Sequence, residues 1–311
     1  LETARLWPAI GHFTAEDRFE ITCVTGPDEY SALVDNNTYT NLMAAAHLRY
    51  LEDVLRRYEQ RDPQGWQHFS RRFGPSVKER ETFARIARSI HVPRIEDADI
   101  PAQDSRFAMR RPWPRERTAR PLLLHYHPLE IYRHRIIKQA DVLLAMVLRR
   151  EPFDRCEMAR ALRYYGPLTT HDSSLSPAPH AIIASWTGEW EAARAYFADS
   201  AFVDLENRHA NSGDGLHFAS LAGAWRVISE GFAGFDPLAS TASFRPRLPP
   251  WLEGYSFRLR REGRLIEIAV TPAGVCYRLI AGAPIDIRHD GRRHHLTSGA
   301  GLRLALAGEE G

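Results

Sequence analysis

Apolar residues in the first 240 positions recur every three or four residues, as in helices that bury one face. In residues 36–59, Leu42, Ala45, Ala46, Leu48, Leu51, Val54 and Leu55 fall on one broad stripe. Asp35, Asn36 and Asn37 ahead of it are N-cap residues by type. The same period predicts helices over 77–90, 129–148 and 153–165. A tight pair over 177–186 and 189–203 breaks at Gly188, and a last helix covers 216–232. Together these give roughly seven or eight helices joined by polar or Pro/Gly loops. After about Thr241 the period drops to two. "SFRLRREG", "RLIEIAVTPAG", "VCYRLIAGAP" and "IDIRHDG" are short extended runs separated by turn residues such as Glu262-Gly263 and Asp290-Gly291. The pattern predicts a mainly α chain that ends in an antiparallel sheet unit, hence two packed units.

Composition narrows the classes. With 311 residues the chain is long enough for one large domain or two ordinary ones. A net charge of +2 gives no nucleic-acid reading. No apolar run approaches the roughly 20 residues of a membrane span. Cys23, Cys156 and Cys276 are far apart, which predicts neither a disulfide framework nor a zinc site and fits a reducing, cytoplasmic compartment. The chain opens at Leu1, already in a helical pattern and without a signal peptide. It is therefore expected to be a piece of a longer protein.

Four stretches could carry chemistry. At "VTGPDEY" an extended segment turns at Gly26-Pro27 and presents Asp28 and Glu29. Such a corner places side chains at the mouth of a fold. A carboxyl group among apolar neighbours such as Tyr30 could hold the raised pKa of a general acid. Asp after Pro is equally a turn residue that binds backbone N–H groups, and local chemistry leans to turn structure for both. In "THDSSLS", Ser173 and Ser174 precede a helix, which suits either an anion site or a cap. His217 opens the helix after Gly213-Asp214-Gly215, as an anion contact or a packed capping residue. The small residues behind it predict close helix packing. Lys138 and Gln139 interrupt an apolar helical run, either as solvent-facing residues or as a pair reaching sugar hydroxyls. The Arg- and Pro-rich segment 93–121 has no period. It reads as a solvated loop or as a contact for a phosphate-bearing ligand or partner.

"VTGPDEY" with "VDNNTYTNLM", "KQADVLLAM", "THDSSLS" and "DGLHFASLAGAW" resemble glycoside hydrolase family 65, the maltose, trehalose and kojibiose phosphorylases, in the family's order over most of residues 1–235. The resemblance implies the C-terminal part of an (α/α)6 barrel over 1–240 and a small antiparallel β-sandwich over 241–311. It implies Glu29 as general acid, Ser173, Ser174 and His217 as the phosphate site, and Lys138 and Gln139 as contacts to the glucosyl unit. The implied reaction is inverting phosphorolysis of an α-glucosidic disaccharide to β-glucose 1-phosphate. Inorganic phosphate is then co-substrate, with no cofactor and no metal. The partners implied are the disaccharide and phosphate, with neither nucleic acid nor membrane, and a homodimer as in many relatives. The family's N-terminal β-sandwich, linker, first barrel helices and glucose-binding Trp-Asp motif have no counterpart in this chain, and Ser31 stands where the family often has His. The chain alone is therefore expected to be inactive. A trehalase-like hydrolase of the same fold and a fragment with only a structural role are the alternatives.

Overall fold

The computed structural model of the chain describes residues 1–299 and 301–306. It consists of two compact units, Leu1–Ser176 and Pro177–Gly311. Residues 300 and 307–311 of the expected C-terminal domain lie outside the described residues. The three cysteines are free. No helix among the described residues is long and apolar enough to cross a membrane.

The first unit begins with helix α1 (Glu2–Ile10) and an antiparallel pair, β1 (Gly11–Phe13) and β2 (Phe19–Ile21). A long loop then leads to α2 (Thr38–Arg61). Asn37 caps α2, its side-chain oxygen accepting from the Thr40 N–H at 2.9 Å. The buried face of α2 is Ala44, Ala45, Leu48, Leu51 and Leu55, close to the expected stripe, while Val54 turns to solvent. It packs on Phe83, Ile86 and Ala87 of α4 (Val77–Ser89), with Ala4, Phe19 and Ile21 in the same cluster. Each buried Leu, Ile or Phe of this cluster contributes about 1.5–3 kcal/mol. Ser76 and Glu79 form a capping box at the start of α4. Between α2 and α4 lies α3 (Pro63–Arg72), which the pattern did not reveal. Asp62 caps it ahead of Pro63 at the first turn.

The unit continues through a hairpin of β3 (Arg94–Ile95) and β4 (Ile100–Pro101), then β5 (Arg111–Pro112), α5 (Leu122–His125) and α6 (Pro128–Ile131). After these come β6 (His134–Arg135), α7 (Asp141–Leu148) and α8 (Arg155–Tyr165). The helix expected over 129–148 is therefore not continuous. Arg135 pairs with Pro112 in a parallel ladder. The Ile137 N–H donates to Leu168 O at 3.0 Å, and Ile137 O accepts from Thr170 N–H at 2.8 Å. Those backbone groups are spent on other segments and cannot also close helical turns. The apolar run that suggested one long helix belongs to α7, which buries Val142, Leu143, Ala145, Met146 and Val147 and so shows no polar face to mark its ends.

The second unit opens with α9 (Pro177–Thr187) and α10 (Trp190–Ala201), separated by Gly188 at φ +84°. Next comes α11 (Phe218–Arg226), which continues as a wider π-type turn, Val227–Phe232. Close approach through small residues, expected here, is present: a Cβ on Gly223 would lie 2.7 Å from that of Ala178. The strands begin with β7 (Ala242–Phe244), followed by β8 (Tyr255–Arg261), β9 (Arg264–Thr271), β10 (Gly274–Ala281), β11 (Ile285–His289), β12 (Arg292–Leu296) and β13 (Leu302–Leu304). They form a four-stranded sheet, β13-β10-β9-β8, and a three-stranded sheet, β12-β11-β7. The expected turns at Glu262-Gly263 and Asp290-Gly291 carry the positive φ values of tight hairpins. One strand departs from the antiparallel expectation, since β7 runs parallel to β11. Ile266, Ile268, Val270 and Tyr277 of the larger sheet share one buried cluster with Phe244, Ile287 and Leu296 of the smaller.

Candidate active site

The loop between β2 and α2 rests on a buried polar base. Gly26 lies so close to the carboxylate of Asp141 and the side chain of Asn37 that a Cβ there would approach them to 2.3 and 2.6 Å. The Asp28 N–H donates to Asp141 Oδ1 at 2.8 Å, and Asn37 Nδ2 donates to Asp141 Oδ2 at 2.8 Å. Asp28 in turn accepts the backbone N–H groups of Tyr30 at 3.2 Å and Lys138 at 2.8 Å. Its other oxygen accepts from Gln103 Nε2 at 2.9 Å, and Gln103 Oε1 accepts the Asp141 N–H at 3.2 Å. Asp28 is thus the N–H-binding turn residue that its position after proline suggested. Both carboxylates are fully buried. Burial pushes the Asp28 carboxyl up to about 6 against the N–H groups that favour its charge. Asp141 is pushed well above the usual carboxylate range, by burial first and then by Asp28.

Glu29 sits on top of this base. Lys138 Nζ donates to Glu29 Oε2 at 2.6 Å. The Glu29 side chain is 59% exposed, so the apolar enclosure expected around it is not formed within this unit. Gln139 Nε2 donates to Pro27 O at 2.6 Å. Lys138 and Gln139 lie on the extended segment ahead of α7, not within a helix, because Asp28 and the 168–170 backbone hold that segment. Both residues therefore bind the acid loop directly.

Tyr30 extends the connection to the serine loop. Its ring is buried, and its hydroxyl donates to Asp172 Oδ2 at 2.5 Å while accepting the Leu122 N–H at 2.9 Å. Burial and the neighbouring Asp172 carboxylate push the phenol up. Asp172 directly precedes Ser173 and Ser174. Ser173 Oγ accepts the Leu175 N–H at 3.3 Å, while the half-buried Ser174 hydroxyl has no hydrogen-bond partner among the described residues. Three segments, 26–31, 137–141 and 168–174, are thus fastened together. They bring Glu29, Lys138, Gln139, Ser173 and Ser174 into one neighbourhood of the first unit.

His217 belongs to the second unit, at the N-cap of α11. Its Nδ1 bonds Asp204 Oδ1 at 2.6 Å, and its N–H donates to Asp204 Oδ2 at 2.9 Å. The hydrogen bond from His217 holds the Asp204 carboxyl below its usual range. Such a carboxylate fixes the ring and leaves Nε2 as the nitrogen available to a ligand.

Residues 1–226 match the glycosyl hydrolase family 65 central catalytic domain, and residues 237–296 match the C-terminal domain of the same family. The chain belongs to glycosyl hydrolase family 65. Among family members it is 39% identical to the alpha,alpha-trehalose phosphorylase of Thermoanaerobacter brockii, an alignment that covers 96% of this chain and 39% of that protein. It is 33% identical to the maltose phosphorylase of Bacillus subtilis strain 168, over 91% of this chain and 37% of that protein. A solved structure described as a candidate kojibiose phosphorylase from the human microbiome superposes with a TM-score of 0.82 at 26% identity, covering 96% of this chain and 44% of that one. The chain spans about two fifths of the length of the curated relatives it matches.

Three residues that hold these segments together were not singled out from sequence: Gln103, Asp141 and Asp172. Asn37 had been read as a cap, and it serves as both cap and ligand of Asp141. Asp141 fell inside the helix expected over 129–148, and Gln103 fell in a segment without a period. Their signal is long-range: Asp28 and Asp141 are joined across 113 positions, which no local pattern reports.

Proposed function

We propose that the whole protein carrying these residues catalyses inverting phosphorolysis of an α-glucosidic disaccharide of the trehalose, maltose or kojibiose type, releasing β-glucose 1-phosphate. The observation that carries this reading is the fastening of the Glu29 loop, the Lys138–Gln139 segment and the Ser173–Ser174 loop through Asp28, Tyr30 and Asp172. Glu29 protonates the leaving glycosidic oxygen. Lys138, which donates to the acid, and Gln139, which donates to the Pro27 carbonyl beside it, contact the glucosyl hydroxyls when substrate binds. Phosphate, held by Ser173 and Ser174, attacks the anomeric carbon from the opposite side. An inverting hydrolase needs a second carboxylate to activate water. The carboxylate in the serine loop, Asp172, is instead occupied by the Tyr30 hydroxyl and the Leu122 N–H. Phosphate is already an anionic nucleophile and needs only placement and partial neutralisation. In this reading residues 1–240 are the C-terminal part of an (α/α)6 barrel, residues 241–311 a small β-sandwich, and the protein is cytoplasmic, in keeping with its free cysteines.

The test is a pair of substitutions, Ser173→Ala and Ser174→Ala, in the whole protein. Phosphate KM is expected to rise by about tenfold or more, with disaccharide KM little changed, because the lost interactions are to phosphate alone. An unchanged phosphate KM in the double variant would remove these serines from the phosphate site.

A further inference from the structure

The Arg-rich segment that carries no part of the proposed reaction lines a cleft of about 1050 Å³ in the first unit. Five arginines border it: Arg106, Arg110, Arg111, Arg117 and Arg133. Three acids border it as well, two of them ion-paired and the third bound to a backbone N–H. Asp104 binds Arg110 at 2.8 Å, Glu130 binds Arg117, and Asp35 accepts the Cys23 N–H at 3.2 Å. The guanidinium groups of Arg106, Arg111 and Arg133 have neither an ion-pair nor a hydrogen-bond partner among the described residues, and all three are exposed. They come from two separate stretches, which the parallel pairing of Arg111 with His134 brings side by side.

Gathering three unpartnered cations around one concavity is unfavourable without a ligand, because like charges repel and concave walls concentrate their field. The surrounding wall is fixed. Trp113 meets Tyr126 and His134 edge-on at 5.1 and 5.2 Å, and Arg117 lies over both Trp113 and Tyr126. Leu33 and Cys23 border the cleft at φ +54° and +56°, a region that non-glycine residues occupy only when held there. Leu33 and Met109, each 75% exposed, add an apolar surface beside the cations. The cleft is of a size that suits a small molecule.

We propose that this cleft is an anion site separate from the serine loop, and that it takes a small molecule carrying a diphosphate group. Three guanidinium groups, set against the one Asp35 carboxylate, leave a net charge of +2 to meet the roughly three negative charges of a diphosphate, and guanidinium is the side chain whose planar donors pair with phosphoryl oxygens two at a time. The apolar surface of Leu33 and Met109 then meets the organic part.

Isothermal titration of the whole protein with inorganic pyrophosphate at low ionic strength tests this. The variant R106Q/R111Q/R133Q is expected to bind about tenfold or more weakly. A control with the same change of net charge, R61Q/R71Q/R72Q on the exposed ends of α2 and α3, is expected to bind as the wild type does, and so is Ser173→Ala/Ser174→Ala. In the Ser173→Ala/Ser174→Ala protein, where the serine loop does not contribute, orthophosphate is expected to bind more weakly than pyrophosphate. Absence of pyrophosphate binding, or equal weakening in the control, would overturn the site. Loss of the binding in the serine variant would assign it to the other loop. Equal affinity for orthophosphate and pyrophosphate in the serine variant would overturn the diphosphate class.

Discussion

Glu29→Gln in the whole protein is expected to lower kcat for disaccharide phosphorolysis by about 10²- to 10⁴-fold, the usual worth of a positioned general acid. The substitution keeps the size of the side chain and its contact range to Lys138, so substrate KM should move little. The decisive comparison uses a substrate whose leaving group needs no proton. With α-glucosyl fluoride and phosphate, the variant should recover most of the wild-type rate, since fluoride departs without general-acid help. A Glu29→Gln protein that turns over trehalose, maltose and kojibiose at normal rates would show that another group supplies the proton. A variant equally slow on the fluoride would show that Glu29 acts through placement of the loop.

Asp141→Ala is expected to cost roughly 2–4 kcal/mol of stability. It leaves the Asp28 N–H and Asn37 Nδ2 buried without their acceptor, each orphaned donor costing about 1–3 kcal/mol. Relief of the repulsion between Asp141 and Asp28 offsets part of that loss. The pH dependence of stability separates the two effects. Burial pushes the Asp28 carboxyl up to about 6 in the folded protein, above the ordinary carboxylate range near 4. Between these values the native state binds more protons than the unfolded state, so stability falls as pH rises from about 4 through 6. Asp141, raised by burial and by Asp28, acts with the same sign. Asp141→Asn removes one titrating member and the charge that opposes ionisation of the other, so the fall should flatten. Urea unfolding of wild type and Asp141→Asn at pH 4, 5, 6 and 7 measures it. Parallel curves for the two proteins would mean that the buried pair does not titrate in this range.

The sequence made the helical elements with a single buried face readable. The stripe of α2 and the helical period over 77–90 are local patterns, and the structure follows them to within a few residues. It failed where tertiary partners replace local ones. Residues 135–140 look helical because the apolar run of α7 is continuous with them, yet their backbone is claimed by Asp28, Pro112 and the 168–170 segment. The candidate site was legible as separate motifs, each with an ordinary structural explanation. Their connection was not, because it passes through Gln103, Asp141, Tyr30 and Asp172, whose partners lie between 38 and 142 positions away. The expected apolar pocket around Glu29 was inferred from its neighbour Tyr30. Tyr30 instead points its hydroxyl into the link with Asp172 and leaves Glu29 to Lys138.

The central claim is that a carboxylic acid and a phosphate loop on one base perform inverting phosphorolysis. Its most direct test is proton NMR of the whole protein acting on trehalose, maltose and kojibiose, with and without inorganic phosphate. The expected result is phosphate-dependent appearance of the β-anomer of glucose 1-phosphate as the first product. Glucose release at the same rate without phosphate, or the α-anomer as first product, would contradict it.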